Sequence, residues 1–403
     1  MSQIIITILT CLCLTINHFA QDVTQPYGIH YIPSIMRPIK VSAKQHIVIN
    51  VNNGHVLSEF LSKQKTYPAS LTKLMTLYIT FKLIKKGQIS LDDTVIISAK
   101  SAHAQGATAL LKPNSRHKLK DLVEAIAVAS GNDASVAVAE HIAGSEQAFA
   151  HMMNQTAADM GMIHTHFENA SGLPHKKHVS SAHDLAILAR HIHHQQPELH
   201  PYLKQKWFKY NKVTQANRNR LLWHDPDTQG MKTGHTEDAG YCMAISSTKR
   251  NQTYISITLG SANEQDRLHA NQDLINHAHT HFEHKTIDVQ KPLARTRVWY
   301  GDKTSGIATL KQPLTVSIPR DDKTISKQIQ LDREVFAPTP AGHPVGQLTI
   351  LYHKTPIHSV PLVLSQALNT GSLWSRFVDL IHRSLASLLS LIIGHQTTKS
   401  TLQ

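Results

Sequence analysis

The chain has 403 residues, of which 41% are apolar and 17% charged; this is ordinary globular composition with length enough for two cores, and it excludes a wholly disordered chain. A formal charge of +13 favours anionic partners, but no basic stripe interleaved with aromatics, no zinc-finger spacing and no helix-turn-helix pattern accompanies it, so nucleic acid is not expected.

Residues 1–20 hold no Lys, Arg, Asp or Glu, and the stretch from Ile4 to Ile16 is nearly all apolar or small and neutral, as in a secretory signal. We expect a signal peptide over 1–20 and export, with cleavage after Ala20 although His18 stands where a small residue is usual. Cys11 and Cys13 would leave with it. Only Cys242 would remain, in an apolar run, which reads as a small buried hydrophobe and allows no intrachain disulfide.

Between residues 45 and 60 two alternating segments flank Asn53-Gly54, a hairpin signal because both residues tolerate positive φ. Ser70-Leu71-Thr72-Lys73 follows. The Ser-x-x-Lys pattern occurs four times, at Ser62, Ser70, Ser115 and Ser246. Only Ser70 sits at a helix start, with Pro68 ahead of it and Leu71, Leu74, Met75 and Tyr78 forming an apolar stripe. That puts Ser70 and Lys73 on one face. Helical patterns over 119–129 and 133–153 flank Ser130-Gly131-Asn132, which marks their junction. Ser181 with Asp184 reads as a capping box for a helix running to His194. The group His191, His193 and His194 reads as a solvated helix end rather than a metal site; no metal or cofactor is expected.

From residue 231 to 260 the pattern turns to strands, with Lys232-Thr233-Gly234 at the start, a turn at 249–251 and a helix over 266–282 closing the region. The layout is α+β, with helices packed on a mainly antiparallel sheet. Beyond Lys285, β-branched stretches such as 315–318 and 347–352 lie between prolines and suggest a small all-β sandwich. The tail from Leu373 to Ile393 has the spacing of an amphipathic helix. Arg376, Asp379 and Arg383 argue against a membrane span and for a helix lying at a membrane surface. The expected domains are 21–284, 285–366 and a linker with anchor helix over 367–403.

The three short motifs carry chemistry. A serine hydroxyl needs a base, and Lys73, one turn along, can serve once neutral; desolvation and the nearby charge of Lys232 favour that state. Ser130 can relay a proton to a leaving nitrogen, Asn132 can hold a peptide, and Lys232 and Thr233 suit a carboxylate. Gly234 lets a substrate strand approach, and the His235 N–H can join that of Ser70 as an oxyanion hole.

The motif set is the one shared by penicillin-binding proteins and class A β-lactamases, with Ser-Gly-Asn replacing Ser-Asp-Asn. With the strings PASLTKLMT, ASGNDASVAVAE and MKTGHTEDAGYC it resembles the low-molecular-mass penicillin-binding proteins that are serine-type D-alanyl-D-alanine carboxypeptidases, across nearly the whole chain. The resemblance implies a β-lactamase/transpeptidase-like catalytic domain, Ser70 acylated with Lys73 as base, and Ser130, Asn132, Lys232, Thr233, Gly234 and His235 lining the site. Arg267 matches by spacing an arginine that serves the terminal carboxylate. It further implies a peptidoglycan stem peptide ending in D-Ala-D-Ala as substrate, β-lactams as acylating mimics, and a place at the periplasmic face of the inner membrane. Rival readings are a DD-endopeptidase, a non-catalytic peptidoglycan-binding protein, and a β-lactamase using Glu168 as deacylating base.

Overall fold

The computed structural model describes residues 27–385 apart from 289, 290, 323 and 333; the expected signal segment with Cys11 and Cys13, and the tail from residue 386 on, lie outside the described residues. The chain forms two compact units, one of Met1–Glu283 with Pro319–Asp321, the other of His284–Ile318 with Asp322–Gln403.

In the first unit the expected hairpin is strands β1 (Gln45–Asn50) and β2 (Val56–Phe60), and Gly54 takes the positive φ of +72°. A 3-10 turn, Ala69–Thr72, leads into helix α1 (Lys73–Lys85), so the helix proper begins at Lys73 rather than at Ser70. Leu77 and Ile79 are buried along with the expected stripe, because α1 is a central helix packed on several sides. Helix α2 (Leu119–Glu124) runs on through a π-turn, Ala125–Ala129, to Ser130. The pattern over 133–153 is two helices, α3 (Asn132–Ala143) and α4 (Glu146–Asp159). Gly144 at φ +76° ends the first, and the Ser145 side chain caps the second by accepting from Ala148 N.

Helix α5 (Ala182–Gln195) starts at Ser181, whose Oγ accepts from Asp184 N as the capping pattern foretold. Its histidine end is only partly solvated. His191 is buried between Tyr27 and Tyr78, and His194 reaches the Val51 carbonyl, because the helix end packs on the β1–β2 turn.

Strands β3 (Thr228–Thr236), β4 (Gly240–Lys249) and β5 (Gln252–Ser261) complete a five-stranded antiparallel sheet in the order β2-β1-β5-β4-β3. Arg250 and Asn251, both at positive φ, make the β4–β5 turn. Helix α6 (Glu264–His281), capped by Asn263, packs on β4 and β5. Cys242 is fully buried in β4 and burial pushes its thiol up to about 11, which leaves it an unreactive hydrophobe.

The second unit is β-rich. Strands β6 (Ala294–Trp299), β7 (Ser305–Leu310), β8 (Ile325–Leu331), β9 (Val335–Phe336), β10 (Pro344–Tyr352) and β11 (Thr355–Leu364) form one six-stranded sheet in the order β8-β10-β11-β7-β6-β9. All pairings are antiparallel except β6 with β9.

Helix 373–385 follows, with Arg376 exposed and the other two charges, Asp379 and Arg383, turned to the sheet. Asp379 accepts from Arg297 Nη2 at 2.8 Å and from Tyr300 N at 2.7 Å, while Arg383 reaches Glu334 at 2.9 Å and the Tyr300 hydroxyl at 3.2 Å. The polar face is tied to the sheet. Leu373, Trp374, Phe377, Leu380, Ile381 and Leu385 are exposed on the other side. No helix among the described residues is long and apolar enough to cross a membrane.

Candidate active site

The turn before α1 is held by contacts that leave no room for side chains. Ala69 is forced to φ +48°, and a Cβ on Gly172 would lie 1.9 Å from the Ala69 carbonyl oxygen. On the other flank, a Cβ on Gly234 would lie 2.9 Å from Ser70 N. The need for glycine at 234 therefore comes from the Ser70 turn, not only from an approaching substrate.

Lys73 is completely buried. Its Nζ lies 2.9 Å from Ser70 Oγ and donates to Asn132 Oδ1 at 2.7 Å and to the Ser171 carbonyl at 2.6 Å. The last two are acceptors only, so in the neutral amine its two N–H bonds are taken and the lone pair faces the Ser70 hydroxyl. Burial, then the charges of Lys232 and Arg218, hold Lys73 well below the ordinary lysine range. Asn132 orients this amine: its Oδ1 receives Lys73 and its Nδ2 donates to the Gln105 carbonyl at 2.5 Å.

Ser130 sits at φ +61°, ψ +34°, the left-handed stop between the π-turn and α3. Asp133 just after it, wholly buried, accepts from Ala109 N and Leu111 N and so fixes the loop opposite. Edge strand β3 supplies Lys232, Thr233, Gly234 and His235. The Lys232 ammonium, buried and donating to the Thr233 carbonyl at 3.0 Å, is pushed down to about 7 by burial and then by Arg218 and Arg267.

Ser70, Ser130, Asn132, Thr233, Gly234, His235 and Arg267 line one cavity of about 390 Å³, with Lys73 and Lys232 buried rather than among its lining residues. The His235 ring packs on Tyr241 with centroids 4.1 Å apart. Arg267 is nearly buried, lies over Tyr241 and reaches Glu264 at 3.1 Å. Residues that sequence reasoning missed also belong here: Ser171, Gly172, Arg218 and, as a support, Asp133. Arg218 had only its place in a basic run to announce it, and Ser171 acts through a backbone carbonyl, which its side chain does not betray. Glu168 is not among the lining residues; its carboxylate turns to His166 at 3.0 Å and His175 at 3.8 Å.

A serine with a desolvated amine at hydrogen-bond distance, a second hydroxyl, and cationic groups in one cleft is equipped for acyl transfer to and from serine.

Comparison with known proteins follows the same line. A family model described as D-alanyl-D-alanine carboxypeptidase matches residues 33–263, and one described as the C-terminal domain of penicillin-binding protein 5 matches 282–370. The D-alanyl-D-alanine carboxypeptidase DacC of Escherichia coli is 34% identical over 354 residues, 85% of this chain and 88% of that one. The crystal structure of penicillin binding protein 5 from Haemophilus influenzae aligns with a TM-score of 0.78 at 31% identity, covering 83% of this chain and 99% of that one. Penicillin-Binding Protein D2 of Listeria monocytogenes, solved in a cefotaxime-bound form, aligns at 27% identity with a TM-score of 0.55 over 59% of this chain and 97% of that one.

Proposed function

The chain belongs to the D-alanyl-D-alanine carboxypeptidase family and is a serine-type penicillin-binding peptidase, and we propose that its reaction runs through Ser70 with Lys73 as base. The observation that supports this most directly is the environment of the Lys73 amine, whose two carbonyl-type acceptors leave its lone pair to Ser70. In this reading Ser70 Oγ attacks the carbonyl of the penultimate D-alanine while Lys73 takes its proton. The oxyanion is met by the N–H groups of Ser70 and His235. Ser130 passes a proton to the departing nitrogen, free D-alanine leaves, and water, deprotonated in the same way, releases the tetrapeptide and restores Ser70. Thr233 and Arg267 receive the terminal carboxylate with the buried charge of Lys232 behind them, and Asn132 orients Lys73 and the peptide. A penicillin enters by the same attack on its lactam carbonyl.

The test is a peptide ending in D-Ala-D-Ala with wild type and Ser70→Ala. Wild type is expected to release D-alanine and to be labelled by a fluorescent penicillin, and the variant to do neither. Equal release by both would remove Ser70 from the role.

A second reading concerns the leaving group. A further cavity of about 690 Å³ shares Arg218, His235 and Arg267 with the catalytic one and is walled by the exposed pair Trp207 and Trp223, whose rings meet edge to face at 5.8 Å. The leaving residue of a cross-link also bears a carboxylate beside its amine but has a long chain in place of the methyl group. The cavity favours DD-endopeptidase activity alongside carboxypeptidase activity. Comparing a cross-linked dipeptide dimer with the pentapeptide, in wild type and Trp223→Ala, separates them: only dimer cleavage should fall.

We also propose the finer placement: export through residues 1–20, a catalytic domain over 21–284, a β domain over 285–366, and peripheral attachment at the periplasmic face of the inner membrane through the tail. The apolar side of helix 373–385, exposed while Asp379 and Arg383 are tied to the sheet, supports that attachment.

A further inference from the structure

We propose that His164, His183 and Asp184 form a site for a divalent transition metal, zinc in the first instance, at the base of the loop that carries Ser171. The donor atoms of these three residues lie within 4.8 Å of one another. Asp184 is fully buried and its two oxygens are used differently. Oδ2 accepts from His164 N at 2.7 Å and from Thr165 Oγ1 at 2.8 Å. Oδ1 meets two imidazole nitrogens, His164 Nδ1 at 3.2 Å and His183 Nδ1 at 3.0 Å.

Two imidazoles converging on one carboxylate oxygen is the arrangement of a nitrogen-rich metal site. Tetrahedral zinc with bonds of about 2.0–2.2 Å separates neighbouring ligand atoms by roughly 3.3–3.5 Å, close to both spacings. Binding needs those two spacings to open by only a few tenths of an ångström, the two imidazole nitrogens, within 4.8 Å of each other, to turn onto the metal, and the tautomers with Nδ1 unprotonated. The Oδ2 contacts would then orient the carboxylate as an outer shell does. Two nitrogen donors disfavour calcium and magnesium, which take oxygen. Solvent reaches the site, since the His164 side chain is 23% exposed, so water can complete the coordination. His183 is braced by Tyr31, stacked at 5.8 Å.

The position gives the site a consequence. His164 and His183 close a loop already zipped at its base by the His166–Val179 backbone pair and the Thr165–Ser180 hydroxyl contact. Within that loop Ser171 accepts from Lys73, Gly172 presses on Ala69, and His178 Nε2 meets Thr72 Oγ1 at 2.8 Å. A metal at the base would clasp the loop that positions the base of the reaction. The assignment rests on this geometry and is independent of the substrate.

Cobalt(II) titration tests it, because a tetrahedral cobalt site absorbs far more strongly in the visible than cobalt on scattered surface histidines. The full-length protein is expected to give an intense band saturating at one equivalent and to lose it on adding zinc. His164→Gln and His183→Gln should each weaken that binding by roughly 100-fold or more, at least the cost of losing an outer-shell partner. Zinc should also slow backbone hydrogen exchange over 165–180 in wild type and not in the variants. Penicillin labelling of Ser70 checks that the variants are folded; should one fail this check, the other decides. No one-equivalent band, or an equal band in a folded variant, overturns the site and assigns the two imidazoles to Asp184 as hydrogen-bond donors.

Discussion

Gly234 and Ser70 meet backbone to backbone: a Cβ at 234 would stand 2.9 Å from Ser70 N and 3.1 Å from Ala69 Cβ. This contact fixes the Ser70 N–H relative to the strand that supplies the His235 N–H. Gly234→Ala must open the gap by a few tenths of an ångström. The acylation rate with a chromogenic cephalosporin is expected to fall about 100-fold, in line with the loss of one oxyanion donor. Circular dichroism should be unchanged. An unaltered rate would show that the close approach does not set the oxyanion geometry.

The two buried lysines predict the shape of the pH profile. In the proposed roles acylation needs Lys73 neutral, and its lowered pKa allows this; carboxylate recognition needs Lys232 charged, and its own is held at about 7. The rate constant kcat/KM on a D-Ala-D-Ala peptide should rise as Lys73 loses its proton and decline as Lys232 does, from about 7 upward. Lys232→Arg keeps its charge at any working pH. The declining limb is expected to move up by a unit or more, and a limb left in place would assign it elsewhere.

Acid stability follows from histidines that bury neutral rings. His46, His178, His191 and His193 are each lowered from 6.5 to about 4 by burial. The unfolded chain takes up these protons near 6.5 and the folded one only near 4. Their contribution is therefore complete above 6.5 and lost as pH falls through about 4, at up to about 1.4 kcal/mol per pH unit for each ring. Urea midpoints should drop steeply between pH 7 and 5. Neither ring nitrogen of His46 has a hydrogen-bond partner, so His46→Leu should flatten the curve without loss at pH 7. A curve of unchanged steepness would contradict that.

The tail offers a test of placement. Trp374→Ser, Phe377→Ser and Leu380→Ser together remove exposed apolar surface and leave Asp379 and Arg383 tied to the sheet. The triple variant is expected to float free of anionic lipid vesicles in a flotation assay while releasing D-alanine from a soluble peptide at the wild-type rate. Continued flotation with the vesicles would refute the anchor.

Much of the fold was legible where signals are local. Asn53-Gly54 announced its hairpin, Ser181 its helix, and alternation the strands β4 and β5. The error over 133–153 has a local cause too, since alanine-rich helical spacing ran through Gly144 and hid a break made by one glycine and a serine cap. The histidine end of α5 was misread for a different reason. Polarity suggests solvent, but Tyr27, Tyr78 and Val51 come from distant parts of the chain to cover it.

By itself the sequence determined the chemistry on offer: a serine, two lysines, a second serine and an amide in three motifs whose spacing places each on a turn, a helix start or a strand. Tertiary structure decided the state of those groups. The Lys73 amine is held well below the ordinary lysine range because burial strips its water and because Lys232 lies near, and a carbonyl 98 residues away accepts one of its hydrogen bonds. Desolvation and charge proximity are sums over atoms brought together by folding, and the Ser171 carbonyl, like every backbone carbonyl, carries no side-chain identity to read in advance.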